Sequence, residues 1–123
     1  MYDLMSLIKA LADETRVRLL AALDGRELCV CQLIELVELA PSTVSKHLSI
    51  LRSARLIEGR KEGRWMHYRL ADRALPEAGR TALAWLRQAI RDNPRILTDR
   101  KRLERIARKD SDSKCRRNAQ NAA

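Results

Sequence analysis

Phenylalanine is absent from this chain of 123 residues, and aromatic side chains make up only 3% of it. The 46% that is hydrophobic must therefore build its core from Leu, Ile, Val and Ala, which favours packed helices over an aromatic-rich β-sandwich. No apolar run approaches the roughly 20 residues that cross a bilayer. Met1-Tyr2-Asp3-Leu4 lacks the basic segment that opens a secretory signal, so a cytoplasmic location is expected. Thiols there are kept reduced, and the three cysteines, Cys29, Cys31 and Cys115, are not expected to form a disulfide framework. The four glycines form no phosphate-cradling loop, and no nucleophile stands with a base at a recognisable spacing, so an enzyme is not expected. No internal repeat is visible.

Positive charge is what the chain has in excess. Lys and Arg number 25 against 16 Asp and Glu, a net charge of +9, which points to a polyanionic partner, nucleic acid or an anionic membrane surface. Residues 1–94 hold 15 basic and 12 acidic side chains, whereas residues 95–123 hold 10 and 4. Pro94, after Asn93, marks the change. The expected organisation is a domain over 1–93 and a basic, disordered C-terminal tail over 94–123, with a weak helical extension at 96–109 from the spacing of Leu103, Ile106 and Ala107.

Before Pro94 the periodicity is mostly helical. Leu4, Leu7, Ile8 and Leu11 mark an amphipathic first helix. Asp13 caps a second, with Val17, Leu19, Leu20, Ala21 and Leu23 inside, which ends at Asp24-Gly25. A third is expected from Glu27 to Leu39, and Pro41 fits the first turn of a fourth, whose inner face is Val44, His47, Leu48 and Leu51. The period then shortens to two. Leu56–Lys61 and Arg64–Leu70 flank Glu62-Gly63, expected as a two-residue hairpin turn. A fifth helix follows from Ala74 to Arg91, with Leu75, Ala82, Leu86 and Ala89 as its stripe, widened by Leu83, Trp85 and Ile90.

Two short helices joined tightly at Ala40-Pro41, followed by a basic hairpin, describe a winged helix-turn-helix: a mainly α fold with a small β-hairpin. Ser42, Lys46 and Ser49 point away from the core face of the fourth helix, with Thr43 and Ser45 on its flanks. Small hydroxyl residues and one cation let a helix approach the major groove and offer donors to phosphates and base edges. Arg60, Lys61 and Arg64 surround the hairpin tip, where a wing meets phosphate or the minor groove. Singly, each feature is an ordinary solvated surface; together, in this order and at this charge, they favour DNA. His47 lies among Val44, Leu48 and Leu51 and reads as a packed or hydrogen-bonded residue, and His67 has no second histidine beside it.

Three segments resemble the ArsR/SmtB family of metal-sensing repressors: Ala10-Leu11-Ala12-Asp13-Glu14-Thr15-Arg16, Leu39-Ala40-Pro41-Ser42-Thr43-Val44-Ser45-Lys46-His47-Leu48, and Gly63-Arg64-Trp65-Met66-His67-Tyr68-Arg69-Leu70. The resemblance covers roughly residues 4–92 and implies a homodimer joined through its first and last helices that represses by binding operator DNA.

Cys29 and Cys31 lie two apart at the expected start of the third helix, in an exposed first turn. A regular helix turns such residues to different sides, so they could share one ion only where the turn is loosened. The helix N-terminus permits this and favours the thiolate form. Two thiolates form a soft donor pair, whereas structural zinc needs four ligands. The plain alternative is two small buried hydrophobic side chains.

Glu27-Leu28-Cys29-Val30-Cys31-Gln32-Leu33 resembles the Glu-Leu-Cys-Val-Cys-Asp-Leu motif of the family's arsenite- and antimonite-responsive members. That resemblance implies Cys29 and Cys31 as ligands for As(III) or Sb(III), with Gln32 in place of Asp and Ile34 where some members carry a third cysteine. The third ligand stays open between Cys115, a solvent oxygen, a small thiol or none. The fifth helix has no His, so the Asp and His site of zinc-sensing relatives is not expected. Two other readings remain: an architectural DNA binder without a sensor, and a cysteine-based redox or metal-carrier protein.

Overall fold

The computed structural model describes residues 3–109. Helix α1 (Leu4–Leu11) starts at Asp3, whose carboxylate accepts from Met5 N at 3.0 Å and from Ser6 Oγ at 2.8 Å. These bonds, the Ser6 one foremost, hold the Asp3 carboxyl below its ordinary range. Asp13 caps α2 (Glu14–Ala22) in the same way, accepting from Arg16 N at 3.1 Å. The chain then turns through Gly25 at φ +76°, where only glycine is unstrained.

The third helix is shorter than its apolar pattern predicts. Leu28–Cys29 form a strand, β1, and α3 runs from Val30 to Val37. Pairing decides this: β1 lies antiparallel to β3 (Trp65–Leu70), with Leu28 opposite Tyr68 and Cys29 opposite His67. An amphipathic run cannot show that its first two residues have a strand partner some 40 positions away. A short turn leads to α4 (Pro41–Ser53), where Pro41 sits in the first turn as expected.

The hairpin is β2 (Ile57–Glu62) and β3, paired from Ile57 opposite Leu70 to Glu62 opposite Trp65. The turn residues are thus Gly63 and Arg64, not Glu62 and Gly63. Gly63 adopts φ +62°, the left-handed conformation that suits the first position of a two-residue hairpin loop. The sheet order is β1-β3-β2.

Helix α5 spans Glu77–Ile90, starting after Pro76 rather than at Ala74. It buries Gly79, Leu83 and Leu86, while Trp85 remains 63% exposed and Ala89 faces solvent.

The largest departure lies beyond Asn93. Residues 94–108, expected within the C-terminal tail with only a weak helical extension over 96–109, form a full, packed helix α6 (Pro94–Arg108); the disorder expected at the end of the chain lies outside the described residues. Asn93 caps α6, accepting from Arg95 N at 2.9 Å and Ile96 N at 3.3 Å, and the helix packs on α2 and α3. Ile96, Leu103 and Ile106 are buried on one face. Asp99 interrupts that stripe in the sequence, but in the fold it is buried against Arg18, with Nε–Oδ2 2.8 Å and Nη2–Oδ1 3.1 Å. A buried carboxylate is tolerable only with such a partner, and the partner is 81 residues away.

Leu19, Leu33, Leu36, Val44, Leu48 and Leu51 are fully buried and bring α2, α3 and α4 into one core. No helix among the described residues is long and apolar enough to cross a membrane.

Candidate nucleic-acid interface and thiol pair

Helix α4 buries Val44, Leu48 and Leu51, and that packing fixes what the rest of the helix presents. Ser42, Thr43, Ser45, Lys46 and Ser49 are all exposed, a polar face with little side-chain bulk. His47 is part of the support. Arg16 Nη1 lies 3.1 Å from His47 Nδ1, and since a guanidinium only donates, Nδ1 accepts and the ring proton belongs on Nε2. The same Arg16 donates to Ala10 O at 2.9 Å and Lys9 O at 2.8 Å, closing the C-terminal end of α1. One side chain thereby ties α1 to α4.

The three wing cations differ. Lys61 and Arg64 are exposed at the tip. Arg60 instead donates to Glu27 Oε1 at 2.5 Å and to Glu62 Oε2 at 3.0 Å. The bond to Glu27, then that to Glu62, raises the Arg60 pKa further, while Arg60 holds the Glu27 carboxyl below its usual range. Glu27 opens the cysteine motif in the sequence but is given no role of its own there. Its place immediately before β1, across the sheet from Arg60, exists only once the strands pair. His67 completes this group, with Nδ1 3.9 Å from Glu27 and Nε2 3.8 Å from Glu62.

Cys29 and Cys31 do meet: their sulfurs lie 3.4 Å apart. Cys29 is the residue before α3, with extended φ −71° and ψ 148°, while Cys31 is in the first turn. Because only one of them is helical, the divergence of two helical residues two apart does not apply. The Cys29 N–H donates to Gln32 Oε1 at 2.8 Å, so the residue at the motif's Asp position braces the junction. The expectation of an exposed turn is overturned: Cys29 is 3% and Cys31 7% exposed, covered by the β1–β3 pairing and packed with Val30. Among the described residues no group of three His, Cys, Asp or Glu is placed to hold one ion. Cys115 lies outside the described residues.

Against known proteins, residues 13–58 match the family described as bacterial regulatory protein, arsR family. The chain belongs to the arsR family. Over 63 residues it is 51% identical to a transcriptional repressor SmtB homolog of Synechocystis, covering 51% of this chain and 48% of that protein. Over 68 residues it is 43% identical to the arsenical resistance operon repressor of Escherichia coli, covering 54% and 58%. The chain thus spans about half the length of these relatives. Among solved structures, HlyU from Vibrio cholerae superposes with a TM-score of 0.60 at 32% identity, over 69% of this chain and 88% of that one. The two sequence relatives are named as repressors, not enzymes, and the fold is the winged helix-turn-helix.

Proposed function

We propose that this chain is a transcriptional repressor that binds operator DNA as a homodimer and is released when As(III) or Sb(III) binds Cys29 and Cys31. The observation that carries the reading is the sulfur pair, 3.4 Å apart at the junction of β1 and α3. Helix α3 leads into α4 through three residues, so a ligand that reshapes the start of α3 acts on the element whose polar face is offered to DNA. By linkage, release requires the metalloid to bind the DNA-incompetent arrangement better, and a typical coupling of about 1–3 kcal/mol changes DNA affinity roughly 5–150-fold.

The donor set fits a soft, thiophilic ion: two sulfurs within reach of one atom, and no cluster of three hard or mixed ligands among the described residues. Cys115, a solvent oxygen or a small thiol supplies a third ligand where one is used. DNA contacts are assigned to Ser42, Thr43, Ser45, Lys46 and Ser49 of α4 and to Lys61 and Arg64 of the wing, with Arg60 reaching phosphate only on leaving Glu27. The dimer is assigned to α1 and α5, where Leu4, Met5, Ile8 and Trp85 are 48–63% exposed and available to a second copy of the chain.

Operator footprinting with and without arsenite tests the proposal. A discrete footprint that arsenite abolishes is expected. Diffuse protection indifferent to arsenite would mean an architectural binder, and no protection would mean a redox or carrier protein.

A further inference from the structure

Helix α6 ends up at one particular place, the C-terminal end of α3. Arg102 Nη1 donates to Leu36 O at 3.0 Å, Arg102 Nη2 donates to Glu35 O at 2.9 Å, and the same Nη2 bonds the Glu38 carboxylate. Arg18, fixed by Asp99 of α6, also donates to Leu36 O, at 3.4 Å. The last carbonyls of a helix have no partner within it, and here two arginines held on or by α6 take them up.

Glu38 is the residue that ends α3, and it stands at φ 57° and ψ 38°, left-handed without being glycine. A side chain disfavours that conformation, so it persists where surrounding contacts impose it. The turn it opens is the link between α3 and α4.

We propose that Arg102 is a positioning residue for DNA recognition: it clamps the left-handed turn at Glu38 and so sets the direction of α4, without itself touching DNA. This rests on the reading of α4 as the DNA-contacting helix. The segment that performs this role lies outside the residues matched to the family, 13–58. A positioning residue changes the preference for operator over random DNA. A phosphate contact would change affinity for both and the salt dependence, and a purely stabilising residue would change the melting temperature alone.

The test compares wild type, Arg102→Ala and Glu38→Gly by fluorescence anisotropy on operator and random duplexes across a salt series, with melting curves beside them. Arg102→Ala is expected to lose roughly 2- to 30-fold in operator affinity, the range of couplings through contiguous networks, with random-DNA affinity and salt slope unchanged. Glu38→Gly relieves the backbone while removing the anchor. It should melt no lower than wild type yet lose operator preference, and it decides the matter if Arg102→Ala does not fold. An unchanged operator-to-random ratio in the folded variants overturns the assignment, as does a parallel loss on both duplexes with a shallower salt slope. A wild-type chain that shows no operator preference overturns the DNA-binding reading itself, and this assignment with it.

Discussion

Arg60 Nη2 donates to Glu27 Oε1 at 2.5 Å, across the sheet from the residue that stands two before Cys29. The contact joins the wing to the thiol site. It also means that a cation placed at the tip by its position in the sequence is, in the fold, engaged by two carboxylates.

Glu27→Gln should lower the melting temperature slightly at neutral pH, because the ion pair is largely exposed and water screens it. The Glu27 carboxyl titrates below its ordinary 4.5 in the folded chain, so its contribution is fully present above that value and is lost as pH falls through the depressed one. The difference between wild type and variant should therefore close below about pH 4.5 in melts recorded across pH.

Arg18 and Asp99 form a pair with side chains 8% and 9% exposed. Removing one charge by Asp99→Asn leaves the other buried and should cost about 3–5 kcal/mol in urea titrations. Replacing both, as Arg18→Met with Asp99→Leu, should restore most of that loss, since a buried ion pair is often no more stabilising than apolar packing of similar volume.

The two thiols should respond differently to serine. Cys31→Ser buries a hydroxyl in place of a thiol, at a cost of about 1–3 kcal/mol if it finds no partner. Cys29→Ser places serine before α3 with Gln32 three residues on, the sequence of a capping box, and should cost less. On the proposed function, both variants should hold operator DNA and neither should release it with arsenite, while Cys115→Ser should respond nearly as wild type. A gel-shift titration of the three reports both properties.

Truncation should depend sharply on where it falls. Ending the chain after Asn93 removes Ile96, Leu103 and Ile106 from the core and leaves Arg18 without Asp99, so the product should fail to give a cooperative melt. Ending it after Lys109 keeps α6. Residues 95–109 carry seven basic and two acidic side chains against three and two in 110–123, so the longer product should keep most of its salt-dependent DNA affinity.

Trp85→Glu should shift a dimer towards monomer in sedimentation, because it places a charge in the apolar surface that α5 leaves exposed. The wild-type dimer should protect two half-sites about 10–10.5 bp apart or a multiple of that, the spacing at which two recognition helices meet one face of the duplex.

The presence of the hairpin, though not its register, the cap at Asp13, the place of Pro41 in a first helical turn and the outward face of α4 follow from local chemistry: alternation of period two, a side chain that satisfies a free helix end, a ring that needs no N–H there, and polar residues opposite Val44, Leu48 and Leu51. Each of these is set by residues within a turn or two of one another, so the sequence alone determined them, together with the pairing of Cys29 and Cys31 as a candidate site. What the linear order could not contain was the partner of each long-range group. Leu28 and Cys29 leave the helix because β3 accepts them, which buries both thiols and brings the sulfurs together. Arg60 leaves the set of open wing cations because Glu27 lies beside it. Residues 94–108 read as a basic tail with only a weak helical extension, and they fold as a packed helix because Arg18, far away in the chain, neutralises Asp99 and lets Ile96, Leu103 and Ile106 enter the core. Tertiary structure decided these three, since a charge or a strand edge becomes tolerable only when its counterpart arrives.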